Sequence, residues 1–135
     1  MAKKIEDIEG IGPANGKKLR AAGVNSVGKL LEQCCDKKGR TATAKSTGVS
    51  ESKLLKWTNH ADLFRVSGIA GQYAELLEGA GVDTVKELRN RNAENLAAKM
   101  QEVNDKKKLV RRPPSAKVVA GWVEQAKGLP PTVTH

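Results

Sequence analysis

Four aromatic side chains in 135 residues, Trp57, Phe64, Tyr73 and Trp122, leave little for a surface on which successive bases stack, because any core takes its share first. The two cysteines, Cys34 and Cys35, are adjacent. That spacing suits neither a disulfide framework nor a metal site, so both read as buried or half-buried thiols in a reducing compartment. Histidine is confined to His60 and His135. His60 falls mid-helix and is expected to be partly exposed. No carboxylate cluster, phosphate-cradling loop or nucleophile with a placed base accompanies either histidine, so the sequence points away from an enzyme and calls for no metal, cofactor or small-molecule substrate. No apolar run approaches the ~18 residues of a membrane span. The opening residues 1–7 lack the apolar stretch of a secretory signal, and the expected location is cytoplasmic.

What the chain does have is positive charge. Lys and Arg outnumber Asp and Glu by 24 to 15, for a net charge of +9 and a pI near 9.7. The excess is uneven. Residues 1–61 hold twelve basic against six acidic residues, net +6; residues 62–105 hold five against eight, net −3; residues 106–135 hold seven against one, net +6. Two basic flanks around a mildly acidic middle form a plausible footprint for a polyanion. Apolar residues at 39% favour a folded chain over a disordered one.

The chain also repeats itself. Residues 8–30 return at 66–88 with a constant offset of 58 and eight identities: Gly10, Ile11, Leu19, Ala22, Gly23, Val24, Val27 and Leu30 recur as Gly68, Ile69, Leu77, Ala80, Gly81, Val82, Val85 and Leu88. The retained residues are glycines and apolar residues, so the repeat preserves turns and a core. The outward positions differ: Lys17, Arg20 and Lys29 correspond to Glu75, Glu78 and Glu87. The match resumes at an offset of 65, where Ser50, Leu54, Trp57 and Ala61 correspond to Ser115, Val119, Trp122 and Ala126. The second copy therefore carries about seven extra residues, placed within 104–114. Recurrence of Trp57 and Trp122 at one helical position marks both as core anchors.

Helical periodicity dominates and no stretch alternates as a strand would. Gly23-Val24-Asn25-Ser26 reads as a helix stop, a core plug and a new N-cap, and Gly81-Val82-Asp83-Thr84 repeats the device. Lys37-Lys38-Gly39-Arg40 reads as a basic loop before a short helix over about 40–47. Asn92 and Ser115 read as further N-caps. Gly128-Leu129-Pro130-Pro131 ends the last helix, and residues 129–135 are expected to form a loose tail.

Ile8-Glu9-Gly10-Ile11-Gly12-Pro13 is the pattern that a helix-hairpin-helix turn requires. Gly10 permits a backbone conformation closed to other residues. Ile11 plugs the small core, Gly12 lets a phosphate approach without meeting a Cβ, and Pro13 suits a first helical turn. The N–H groups beyond point outward at the positive end of the helix dipole, where an anion is held without any base being read. The second copy replaces Gly12 by Ala70 and carries Glu75 and Glu78 beyond it, a poorer phosphate site. Ala44-Lys45-Ser46-Thr47-Gly48-Val49-Ser50 is open to another reading, the turn of a helix-turn-helix exposing Glu51, Ser52, Lys53, Lys56 and Asn59. A degenerate hairpin packing helices within the repeat is the more economical account, since Pro113-Pro114 opens the matching helix of the second copy.

The tandem units resemble an uncharacterised, mostly bacterial domain-of-unknown-function family of helix-hairpin-helix repeats. The resemblance spans roughly residues 5–127 and rests on residues 8–13, Ala22-Gly23-Val24, Thr47-Gly48-Val49-Ser50, Trp57, His60-Ala61-Asp62-Leu63 and residues 104–110. It implies a compact all-helical fold and possible DNA contact, but no established activity. The expectation is an all-α chain of two tandem repeats of about 60 residues, packed as one compact multi-helix domain, with repeats over 1–65 and 66–128. The expected function is non-catalytic, largely sequence-independent binding of double-stranded DNA. The expected contacts are Gly10, Ile11, Gly12, Lys17, Lys18, Arg20, Lys37, Lys38 and Arg40, with Lys106, Lys107, Lys108, Arg111 and Arg112 as a second clamp. The rival reading is a protein-interaction or self-assembly module using oppositely charged repeats, or an accessory subunit of a larger complex.

Overall fold

A computed structural model describes residues 3–69 and 71–135. Among these the fold is all-α: eight α-helices, one 3-10 turn and a single isolated bridge between Lys4 and Ser26. The chain divides into two compact units, one formed by Met1–Asp62 with Thr132–His135, the other by Leu63–Pro131.

The first unit opens on a 3-10 turn (Ile5–Asp7) and continues through α1 (Gly12–Ala21), α2 (Val27–Cys34), α3 (Lys37–Thr47) and α4 (Glu51–Leu63). Its boundaries follow from local chemistry. Gly23 ends α1 in the left-handed conformation at φ 86°, and the Val24 N–H reaches back to the Leu19 carbonyl at 2.8 Å. That bond satisfies a carbonyl the helix itself leaves open. Ser26 caps α2 by accepting from the Lys29 N–H, and Ser50 caps α4 by accepting from that of Lys53. Ile5, Ile8, Ile11, Leu19, Leu30 and Leu54 are fully buried.

Three sequence expectations are corrected here. Lys37 to Arg40 are not a loop but the first turn of α3, because the Asp36 carboxylate caps that helix on the Gly39 N–H at 2.8 Å. Gly39 suggests a breaker, yet it is present for space: a Cβ there would overlap the Gln33 carbonyl at the end of α2. Because backbone yields less readily than a side chain, Gly39→Ala is expected to cost about 1–2 kcal/mol, read as a lowered denaturation midpoint. The loose tail is tied down in its last residues. The Thr134 N–H donates to the Cys35 carbonyl at 2.8 Å, Arg40 donates to the Thr134 carbonyl at 2.7 Å, and the His135 ring lies 3.4 Å from Asn59 Oδ1. His60 is fully buried in α4, beside buried Thr58, Asn59 and Asp62. A polar run at the end of α4 masks this burial in the sequence.

The second unit holds α5 (Gly71–Gly79), α6 (Val85–Leu88), α7 (Ala93–Lys107) and α8 (Ala116–Lys127). One apolar cluster fills it, including Leu76, Leu77, Leu88, Leu96, Met100 and Trp122. Thr84, Asn92 and Ser115 cap α6, α7 and α8. Past α7 the chain is held by Asn104, whose side-chain amide donates to the Val110 carbonyl and whose oxygen accepts from the Val110 N–H, both at 3.0 Å.

The repeat is visible bond by bond. Gly10 and Gly68 share positive φ (90° and 95°), as do Gly23 and Gly81 (86° and 92°). The Val24–Leu19 bond recurs as Val82–Leu77 at 2.9 Å, and the Ser26 cap recurs as Thr84. In each unit the first glycine faces the indole nitrogen of its own tryptophan: a Cβ at Gly10 would lie 3.8 Å from Trp57 Nε1, and one at Gly68 would lie 3.1 Å from Trp122 Nε1.

Candidate nucleic-acid interface

The turn before α1 is built from the inside outward. Ile8 and Ile11 are 1% exposed and fix the bend from beneath, while Glu9, Gly10 and Gly12 lie at the surface. The Ile11 N–H donates to the Ile8 carbonyl at 3.4 Å. Gly10 and Gly12 both adopt positive φ, and a Cβ at Gly12 would meet nothing within 4 Å. Glycine at position 12 therefore answers a conformational demand, and the space in front of it is open.

The opening of α1 differs from those of its neighbours. Serine, aspartate, threonine or asparagine side chains cap α2, α3, α6, α7 and α8. The N-cap of α1 is Ile11, which has no side chain able to accept, and Pro13 follows in the first turn. The N–H groups of exposed Gly12 and Ala14 are thus left for solvent or an incoming anion.

The basic residues sort into three groups. Lys17 and Lys18 on α1, and Lys37 and Lys38 at the start of α3, are exposed, and none is ion-paired with another described residue. α1 and α3 are in contact within the first unit. Lys37 and Lys38 sit at the positive end of α3, a placement that local helix energetics disfavours. Arg20 is committed elsewhere: its Nε and Nη2 donate to the Glu6 carboxylate at 2.8 and 2.6 Å. Arg40 is 3% exposed and donates to the carbonyls of Cys34 and Thr134. It is a structural residue, and its expected contact with a ligand is withdrawn. Its position next to exposed lysines in the sequence disguises an inward direction.

In the second unit Lys106 and Lys107 end α7, where they complement the helix dipole, and Lys108 follows at φ 51°. All three are exposed, as are Arg111 and Arg112. Ala70, the proposed substitute for the phosphate-side glycine, lies outside the described residues. The helix-turn-helix alternative fares poorly in α4, where Asn59, expected at an exposed reading position, is 7% exposed.

Two residues that sequence reasoning missed shape these surfaces. Glu6 lies 14 positions from Arg20, and no local pattern announces the pair. Asn104 is disguised as one more polar residue before a lysine run. The hydrogen-bonded Arg20 guanidinium holds the Glu6 carboxyl down at about 2 from its ordinary 4.5. A lowered folded-state value means that the contribution to stability is present above the ordinary value and lost as pH falls toward 2. Glu6→Gln is therefore expected to lower the melting temperature slightly at pH 7, with the difference from the parent chain closing between pH 4.5 and 2. Burial pushes the Cys34 thiol up, which keeps it protonated and unreactive.

Among the described residues no group of three or more His, Cys, Asp or Glu side chains is arranged to hold a metal ion, and no helix is long and apolar enough to cross a membrane. No curated protein and no solved structure matches the chain. A family model described as Domain of unknown function (DUF4332) matches residues 9–129, an extent that takes in most of both units, and the chain belongs to that family.

Proposed function

We propose that the first unit is a helix-hairpin-helix module that binds the backbone of double-stranded DNA without reading sequence and without catalysis. The observation that carries this reading is the uncapped start of α1: an exposed bend with two positive-φ glycines delivers main-chain N–H groups to open space, with Lys17 and Lys18 on the same helix. Backbone amides at a helix start hold one phosphate, and lysines beside them neutralise its neighbours. Removal of Arg20 and Arg40 from the contact set leaves four lysines in this unit. Neutralising about four phosphates gives a slope of log K against log salt of about −3 to −4. An electrophoretic shift series with duplex, single-stranded and RNA probes at two salt concentrations tests the proposal. Duplex binding with that slope and no sequence preference supports it; salt-insensitive binding, or none, removes it.

The rival assembly module draws on the inverted charges of the second unit. Glu75 and Glu78 are already engaged within the chain, which weakens the acidic face it needs. Sedimentation that reports association weakening with salt, in place of DNA shifts, would favour that rival.

A further inference from the structure

We infer that the second unit carries a groove for an extended peptide that combines an apolar residue with a nearby carboxylate. A cleft of about 420 Å³ lies between Tyr73, Trp122, Val118 and the Pro113-Pro114 wall, with Arg112 at its edge. A second cleft of about 400 Å³ adjoins it, shares Tyr73 and Arg112, and adds Arg111 and Gln72. The first is mostly apolar, with the Tyr73 and Ser115 hydroxyls also in its lining: Trp122 is 4% exposed, and its indole N–H has no acceptor among the described residues. Gly68, which also lines the cleft, supplies the room beside it, since a Cβ there would lie 3.1 Å from the indole nitrogen. The second cleft is cationic. No acidic residue lines either one, and neither guanidinium pairs with a carboxylate of the described residues.

The internal repeat separates what the fold needs from what has been added. Gly68, Ser115 and Trp122 correspond to Gly10, Ser50 and Trp57, and these scaffold residues are the same in both copies. The lining is not. Tyr73 stands where the first copy has Asn15, and Val118 where it has Lys53. The first unit is built without an aromatic or a valine at those positions; in the second, Tyr73 packs against the apolar cluster, whereas Val118 is no part of it. Val118 is 46% exposed, the one large apolar side chain so exposed among the described residues. Arg111 to Pro114 lie within 104–114, the stretch in which the second copy has gained about seven residues.

The chemistry selects a peptide over a nucleobase. Base stacking needs an open ring face. Tyr73 and Trp122 instead pack edge to face, with centroids 5.7 Å apart and planes at 63°. Proline walls, an aliphatic rim and an indole N–H without an acceptor of its own suit an aliphatic or proline residue whose carbonyl accepts from the indole. The adjoining guanidiniums suit an Asp or Glu close to it in the ligand.

Random dodecapeptides displayed on phage and selected on the full chain test the assignment, followed by anisotropy with the best peptide as a labelled synthetic probe. Convergence on an apolar residue within a few positions of Asp or Glu is expected. Val118→Asp and Arg112→Glu should each weaken the probe at least about tenfold, while Lys17→Glu with Lys18→Glu should leave it unchanged. The exposed positions of the first two keep the fold intact, which circular dichroism verifies. Failure to converge, equal affinity for Val118→Asp, or binding of a single-stranded oligonucleotide that depends on Val118 would overturn the proposal. The lysine pair reports on the DNA reading alone, so either proposal can fail without the other.

Discussion

Reversal of both exposed lysines of α1, Lys17→Glu with Lys18→Glu, is expected to weaken duplex DNA binding about ten- to hundredfold near 0.1 M salt. Two of about four neutralised phosphates lose their partners and meet carboxylates instead. The salt slope should flatten to about −2, because fewer counterions are released on binding. The loss should be equal for unrelated sequences, since contacts to the backbone carry no base information. Lys17→Gln with Lys18→Gln should give roughly half the loss on a logarithmic scale. Neither lysine touches the core or an acidic partner among the described residues, so thermal stability should hold. Affinity unchanged by the reversal would remove the α1 turn as the contact.

Arg40→Ala separates the same surface from its support. The guanidinium donates to the Cys34 carbonyl at 2.9 Å and to the Thr134 carbonyl at 2.7 Å from a position 3% exposed. Hydrogen bonds from a charged donor are worth about 1.5–3 kcal/mol each, and their loss leaves the Cys34 carbonyl short of a partner. A loss of about 3 kcal/mol is expected, a large fraction of the stability of a small domain. Residues 132–135 should also lose protection against hydrogen exchange before the rest of the unit does. DNA affinity, measured where the variant is still folded, should stay within about twofold of the parent, since a buried group makes no phosphate contact. A loss of affinity with stability intact would restore Arg40 to the interface.

How much of this was legible in the sequence depends on the range over which each signal acts. Gly23, Ser26, Asn92 and Ser115 were readable as helix punctuation because caps act over three or four residues. The core positions were readable because the repeat displays each of them twice. The start of α3 was misread because Gly39 looks like a breaker, when its small size answers a carbonyl on another helix. Arg20 and Arg40 carry the same charge signal as Lys17 and Lys38. A partner 14 residues away engages Arg20 at the surface, and partners 6 and 94 residues away draw Arg40 inward; composition does not report such pairs. The open turn at Gly12 was found by its motif. That it lacks a side-chain cap was implicit in Ile11, which cannot accept a hydrogen bond.

The latch at Thr134 has a consequence in time. A nascent chain emerges from its N-terminus, and residues 1–62 leave the ribosome well before 132–135 do. The partner of Arg40 and Cys35 is therefore synthesised only after the 69 residues of 63–131 have been added. At ordinary translation rates that is a delay of about 3–14 s, long compared with helix formation. Of the two units, the one begun first is completed second, and until then a buried arginine waits with one of its acceptors not yet made.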